Sequence, residues 1–265
     1  MSVLATPEPW DLVAVAYAED SLAYFEAFSR EALRLAALPA GARVADIAAG
    51  PGTLSLLAAA DGAKVSAIDV SPGMVEQFRA RIGAAGLEAA VDVRVGDGQQ
   101  LPFESAAFDA AFSMFGLMFF PDRAAGLREL KRVLKPGGRA VVASWIPFDG
   151  PFGVLFKTAS ELIPGLPSGG EFALSDEDSI RRELTEAGLA NVAVHRVAQE
   201  LKAPSFDKFW SAMERTNAPL VLIKHRLGPE RWAALGPKIR ERVGATLGDG
   251  PLTIGRGAFL GIGVA

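Results

Sequence analysis

The chain predicts an α/β fold: a doubly wound, mostly parallel seven-stranded sheet with an antiparallel last strand and a helical lid. Three runs carry this expectation: VADIAAGPGT (Val44 to Thr53), AIDVSPGM (Ala67 to Met74) and VGDGQQLPF (Val95 to Phe103). Each reads as a buried strand that ends in a carboxylate or a glycine loop and is followed by a helix or turn. Strands alternating with helices imply a mostly parallel sheet with helices on its faces.

In chain order, Trp10 to Leu38 is apolar at helical spacing (Leu12, Val15, Ala16, then Leu22, Phe25, Phe28, Leu33, Leu35) and predicts two helices. Strands follow near Arg43–Ala48, Lys64–Asp69, Val91–Gly96, Phe108–Met114 and Arg139–Trp145, with helices near Thr53–Ala60, Pro72–Ala84 and Arg123–Leu134. Ser71-Pro72 supplies a capping hydroxyl followed by proline in the first helical turn. Lys135-Pro136-Gly137-Gly138 predicts a tight turn into the fifth strand. Pro147 to Leu174, rich in Gly and Pro, reads as irregular with one short helix. Ser175 to Ala187 reads as a helix capped by Ser175, with Asp178 at the capping-box position. Asn191 to Leu201 reads as a strand, Ser205 to Leu247 as a helical block, and Leu252 to Val264 as a closing strand. If those two strands form an antiparallel hairpin, the helical block hangs over the ligand-binding edge.

Composition sets the bounds. With 265 residues, 50% of them hydrophobic, the chain can bury a large core, so one elaborated domain is expected. A formal charge of −4 argues against a nucleic-acid partner, which usually meets a basic footprint. Without cysteine there are no disulfides, thiolate nucleophiles or zinc–thiolate sites, and no metal is expected. The first ten residues carry no signal-peptide pattern, and the apolar run from Ala110 to Phe120 is far short of the ~20 residues that span a bilayer. The expectation is a soluble, cytoplasmic protein.

The strand pattern puts Asp46, Gly50, Gly52, Asp69 and Asp97 at the carboxyl ends of successive strands, the edge where open α/β sheets bind ligands. A carboxylate after the second strand suits ribose hydroxyls, and glycines after the first let the backbone approach a ligand. Gly50 and Gly52 also fit a plain strand-to-helix turn. Asp69 also fits a helix cap, but Ser71 already supplies one. The edge therefore suits a nucleoside-like ligand.

Taken in order, DIAAGPG, AIDVSPGM, GDGQQLPF, FDAAFSMFGLMFFPD and RELKRVLKPGGRAVV resemble the blocks of class I S-adenosylmethionine-dependent methyltransferases, of the ubiquinone/menaquinone-biosynthesis (type 11) group. The resemblance spans roughly Val44 to Trp145. It implies the class I methyltransferase fold, S-adenosyl-L-methionine as cofactor, and a transferase. Residues 1–40 would cover the cofactor site, 41–146 would form the cofactor-binding core, and 147–265 would complete the sheet with a lid at 205–247. The resemblance implies that Asp97 reaches the adenine amino group while Gly98 or Gln99 offers backbone to the ring. Val70 and Met74 would flank adenine, or be ordinary core. Ser113 would meet the methionine part, and Asp46 would brace the first loop or meet the ammonium through water. Tyr17 would sit near the sulfonium or carboxylate, a contact worth about 0.5–2 kcal/mol, or else pack at a helix edge. Ala48 stands where the family usually has glycine, which would weaken cofactor affinity more than fold.

The expected function is transfer of a methyl group to a small, apolar or aromatic metabolite by in-line displacement. No Asn/Asp-Pro-Pro-Tyr motif follows the fourth strand, where the chain reads Ser113-Met114-Phe115-Gly116. The lid's Phe206, Phe209, Trp210 and Met213 suggest an apolar pocket, or plain core. Two rivals remain: a non-catalytic S-adenosylmethionine-binding protein, and a nicotinamide-dependent dehydrogenase, which would need a third glycine where Ser55 stands. A base is required only if the acceptor must lose a proton. His225 in Lys224-His225-Arg226 is the candidate, against a solvated surface histidine, while His195 reads as structural.

Overall fold

A computed structural model describes residues 3–147, 151–162 and 173–265. Seven strands form one sheet: β1 (Arg43–Ile47), β2 (Lys64–Asp69), β3 (Val91–Val95), β4 (Phe108–Met114), β5 (Leu134–Trp145), β6 (Ala190–Ala203) and β7 (Leu252–Val264). Their order in space is β3-β2-β1-β4-β5-β7-β6, with β7 antiparallel to both neighbours and the pairs from β3 to β5 parallel. This is the class I methyltransferase fold. The chain winds outward from β1 to β3, then resumes on the other side of β1 at β4. The crevice at that reversal is where such sheets bind ligands.

The period of two along the strands sorts the core. Val44, Val65, Phe112 and Val141 face one side, against Phe28 of α2 (Leu22–Ala36), Leu54 of α3 (Thr53–Ala60) and Phe78 of α4 (Pro72–Ala85). Ala45, Ile68, Ala111 and Val142 face the other, against Leu127 and Leu130 of α5 (Arg123–Val133) and Ile180 and Leu184 of α7 (Glu177–Glu186). The remaining helices are α1 (Glu8–Asp20), α6 (Pro151–Leu162), α8 (Phe206–Thr216) and α9 (Ala218–Leu247).

Several local expectations change. Lys135–Gly138 does not precede β5 but bulges within it, since the register jumps from Phe108↔Leu134 to Ala110↔Arg139. The backbone N–H of Gly137 donates to the carbonyl of Ala265 at 2.9 Å, so the chain's last residue secures the bulge. The cap of α7 is Asp176, whose side chain accepts from the Ser179 N–H, rather than Ser175. Part of the stretch read as irregular is α6; residues 148–150 and 163–172 lie outside the described residues. The helical block is two helices, and α9 is broken at Gly228 (φ 73°), just before Pro229.

The β6–β7 hairpin runs beyond the rest of the sheet, with Leu201 opposite Ile254 and Ala203 opposite Leu252. On this extension the lid builds its own core from Leu252, Ile254, Phe206, Phe209, Trp210 and Ile239. Exposed ion pairs tie the lid to α1: Arg226–Glu8 at 2.6 Å and Arg215–Glu19 at 3.0 Å. Among the described residues no helix is long and apolar enough to cross a membrane.

Candidate cofactor and acceptor site

Two loops meet at the reversal point, and each holds a residue in the left-handed region without being glycine. Ala48 (φ 58°) follows β1 and Phe115 (φ 62°) follows β4. Such a conformation costs a non-glycine residue roughly 1–2 kcal/mol and persists where packing over-determines it. Phe115 is held by a stack on Trp145, with ring centroids 4.0 Å apart, and by edge contacts with Phe25 and Phe28. The Ala48 methyl fits because Gly116 lies opposite: a Cβ built on Gly116 would overlap it.

Beneath these loops Asp46 is buried, and its Oδ2 accepts from Ser55 Oγ at 2.7 Å. Oδ1 has no hydrogen-bond partner among the described residues. Burial, opposed by the Ser55 hydrogen bond and reinforced by the nearby charge of Asp69, pushes the carboxyl up to about 7. Ser55 stands where a dehydrogenase fingerprint needs glycine, and here it anchors Asp46.

Asp69 closes the first loop. Its Oδ2 accepts from the Gly50 N–H at 2.8 Å and its Oδ1 from the Ser71 N–H at 2.9 Å. Burial pushes its carboxyl up to about 6 against those hydrogen bonds. Each oxygen keeps a lone pair for a further donor. The Ser71 hydroxyl caps α4 through the Met74 N–H and donates to Asp11 of α1 at 2.6 Å, so the N-terminal helix docks directly above β2. In the loop after β3, Asp97 Oδ1 accepts from the Gln99 N–H at 2.8 Å and from Gln99 Nε2, while Gln99 Oε1 accepts from the Asp122 N–H.

A cavity of about 310 Å³ runs along this edge. Tyr17, Asp46, Ala48, Gly50, Asp69, Val70, Met74, Asp97, Gly98 and Gln99 all line it, so the structure brings ten of the sequence-derived residues together. At Gly98 glycine is also required by packing: the space a side chain would fill is taken by the ring of Phe120 and the branch of Ile47.

Three residues fall away. Gly52 is not among the lining residues; its φ of 81° and the ring of Phe78, which occupies the place of its missing Cβ, make it a turn residue. Ser113 is fully buried below the cavity, and its Oγ accepts from the Leu117 N–H at 3.2 Å. His225 is exposed on α9 next to the Arg226–Glu8 ion pair and is not among the cavity's lining residues. The lid's aromatic stripe is also corrected. Phe206, Phe209 and Trp210 form lid core, and only Met213 of the four reaches the cavity.

The far end of the cavity is walled by Tyr24, Phe25, Phe115, Trp145, Phe152 and Met213. Into it comes Arg256 of β7, its guanidinium carbon 3.9 Å from the centroid of Trp145 and 4.2 Å from that of Phe152. Burial lowers it to about 10, with Tyr24 and Tyr17 acting the other way, so it stays cationic at neutral pH. Arg256 was missed, although the signal was present. Leu252, Ile254, Ala258, Leu260 and Ile262 alternate along β7, and an arginine occupies the inward position among them.

Comparison with known proteins agrees with this geometry. A family model described as a methyltransferase domain matches residues 45–142. A demethylmenaquinone methyltransferase of Corynebacterium kroppenstedtii is 40% identical over 141 residues, 52% of this chain and 57% of that protein. An uncharacterised protein of Mycobacterium tuberculosis is 40% identical over 129 residues, 49% of this chain and 46% of the relative, so the chain spans about half the length of the curated relatives it matches. A crystal structure of a Bacillus halodurans protein provisionally assigned as a methyltransferase covers 90% of this chain and 98% of its own, with a TM-score of 0.63 and 20% identity. The likeness in structure extends the class I methyltransferase fold over most of the chain. Residues 45–142 are similar to the methyltransferase domain of the type 11 group.

Proposed function

We propose that the chain moves the methyl group of S-adenosylmethionine to a small apolar or aromatic acceptor. One observation carries this reading: a single cavity joins two buried carboxylates at the ends of β1 and β2 to an aromatic chamber under the lid. The cofactor fits the near end. The unpartnered Oδ1 of Asp46 suits an ammonium, the spare lone pairs of Asp69 suit ribose hydroxyls, and Asp97 with Gln99 borders the place for adenine.

The cofactor supplies a carbon already activated by its sulfonium. What the chain contributes is position and a dry site: Asp46 and Asp69 hold the ammonium and the ribose of the cofactor, and the aromatic walls orient the acceptor in line with the methyl group. Bound S-adenosylmethionine would supply the methyl group to the acceptor and would leave as S-adenosylhomocysteine. The relatives named as demethylmenaquinone methyltransferases support a small-molecule acceptor. The test is calorimetry with S-adenosylhomocysteine, followed by transfer of isotope-labelled methyl to a metabolite panel. Absence of S-adenosylhomocysteine binding would sink the reading.

Two expected results arise here. Binding of the cofactor's ammonium requires ionised Asp46, whose carboxyl holds its proton until about pH 7. Binding therefore expels a proton, and affinity for S-adenosylhomocysteine should rise by about tenfold or more between about pH 5.5 and pH 7.5, while the ligand's own amino group stays protonated. Asp46→Asn should bind more weakly and lose the upper part of this rise. A pH profile identical to wild type would remove the ammonium assignment.

The second concerns the lid. Its ties to α1 are exposed ion pairs, which solvent screens and which contribute little, and lids belong to the less stable parts of a fold. Hydrogen exchange in α8 and α9 should slow when S-adenosylhomocysteine and acceptor bind together. Protection confined to the sheet would count against an enclosing lid.

A further inference from the structure

We infer that the acceptor carries an anionic oxygen on its apolar or aromatic body, and that Arg256 and Tyr24 hold that oxygen. The inference rests on the methyltransferase reading above and adds the acceptor's charge to it.

Three observations converge on the chamber. First, Arg256 reaches the cavity from an inward position on β7, diagonal to Trp145, which pairs with Ala258. Its guanidinium is stacked on Trp145 and Phe152, so its flat faces are covered by rings while its edge carries the N–H donors. A fork of this kind matches the oxygens of an anion. Second, the Tyr24 hydroxyl is buried and has no hydrogen-bond partner among the described residues, although Tyr24 lines the same cavity. A buried hydroxyl without a partner is costly, and a ligand oxygen would supply one. Third, the walls around both groups are aromatic or apolar, so a ligand placed there presents a polar oxygen within an otherwise apolar surface.

The cofactor's own carboxylate is a poor match for Arg256. It is bonded to the same carbon as the ammonium assigned to Asp46 on β1, and β7 lies three strands away, about 14 Å across the sheet. The chamber under the lid, at the β5–β7 end, is where the acceptor belongs.

The test uses the full chain with S-adenosylhomocysteine bound. Matched pairs of probes, benzoate with benzamide, 2-naphthoate with 2-naphthamide and pentafluorophenol with pentafluorobenzene, are titrated at neutral pH while Trp fluorescence is followed, with calorimetry as a second readout. The first two pairs report a carboxylate and the third, whose hydroxyl is ionised at neutral pH, a phenolate oxygen. At least one anionic probe is expected to bind about tenfold or more tightly than its neutral partner. Arg256→Met should abolish that preference and Tyr24→Phe should reduce it several-fold, both leaving S-adenosylhomocysteine affinity unchanged. Equal binding within every pair, or no binding by any anionic probe, overturns the inference on the wild-type protein alone. A preference that survives Arg256→Met overturns it too. If Arg256→Met instead weakens S-adenosylhomocysteine binding, Arg256 serves the cofactor and the inference is likewise wrong. Failure of wild-type protein to bind S-adenosylhomocysteine at all would strike the underlying methyltransferase reading rather than the acceptor's charge.

Discussion

Asp69→Ala is expected to lower affinity for S-adenosylhomocysteine by at least about a hundredfold while moving the melting temperature little. The two halves of this result have separate causes. Binding loses the acceptor for the ribose, and two backbone donors, the N–H groups of Gly50 and Ser71, lose the oxygens that fix the loop around the cofactor. Hydrogen bonds to a charged group are worth about 1.5–3 kcal/mol each, so losing a pair reaches two decades. Stability behaves differently because burial raises the Asp69 carboxyl from its ordinary 3.8 to about 6. The folded protein then binds a proton more tightly than the unfolded chain, so the contribution of Asp69 to stability falls as pH rises from about 4 to about 6 and stays unfavourable above. Removing the side chain relieves that cost and strands two donors, and these effects oppose each other near neutral pH. Calorimetry and a thermal melt at about pH 7.5 check both halves. Unchanged affinity would end the ribose assignment, and the pH slope of stability should shrink in the variant.

Gly116→Ala should destabilise the protein by about 1–3 kcal/mol, the range for overpacking, and should weaken cofactor binding with it. The backbone at Gly116 (φ −101°, ψ −49°) is open to any residue, so glycine is not needed there for conformation. It is needed because a Cβ would overlap the methyl of Ala48, which lines the cavity at the end of β1. Ala48→Gly should therefore rescue Gly116→Ala. Alone, it removes the strain of a left-handed alanine but frees the unfolded chain, and the net change should be small. A double-mutant cycle by denaturant melts should give a coupling above about 1 kcal/mol. Additive effects would show that the two loops do not lean on each other. The alanine that replaces the family's usual glycine is thus matched from across the site, on a loop 68 residues later.

Much of this was legible in the sequence because it depends on short-range periodicity. Strands of period two that end in Asp46, Asp69 or Asp97 announce a sheet edge before any fold is known, and proline with a capping serine marks the start of α4. That Asp46, Asp69 and Asp97 line one cavity followed from strand ends alone, since a parallel sheet brings all its carboxyl ends to one edge. Where the reading slipped, the deciding contact was distant in the chain. Gly52 and Gly50 look alike as letters, yet only Gly52 has its open side filled by Phe78 of α4. Ser113 looks like a strand-end ligand, but Phe115 turns the chain in the left-handed region and leaves the Ser113 hydroxyl to the Leu117 N–H. The lid's aromatic stripe has the spacing of a pocket wall or of a core, and its packing against Phe152, Leu252 and Ile254 decided for core.

The sequence by itself determined the fold class, the order of the loops and the sheet edge on which the cavity opens, because each is encoded within a dozen neighbouring residues. Only the tertiary structure decided the aromatic chamber. Its walls come from α2, β5, α6, α8 and β7, segments more than two hundred residues apart at the extremes, and Arg256 enters it through pairings that the sequence does not display. Side-chain direction along a strand is local, but which rings and charges face it is fixed by the packing of the whole chain.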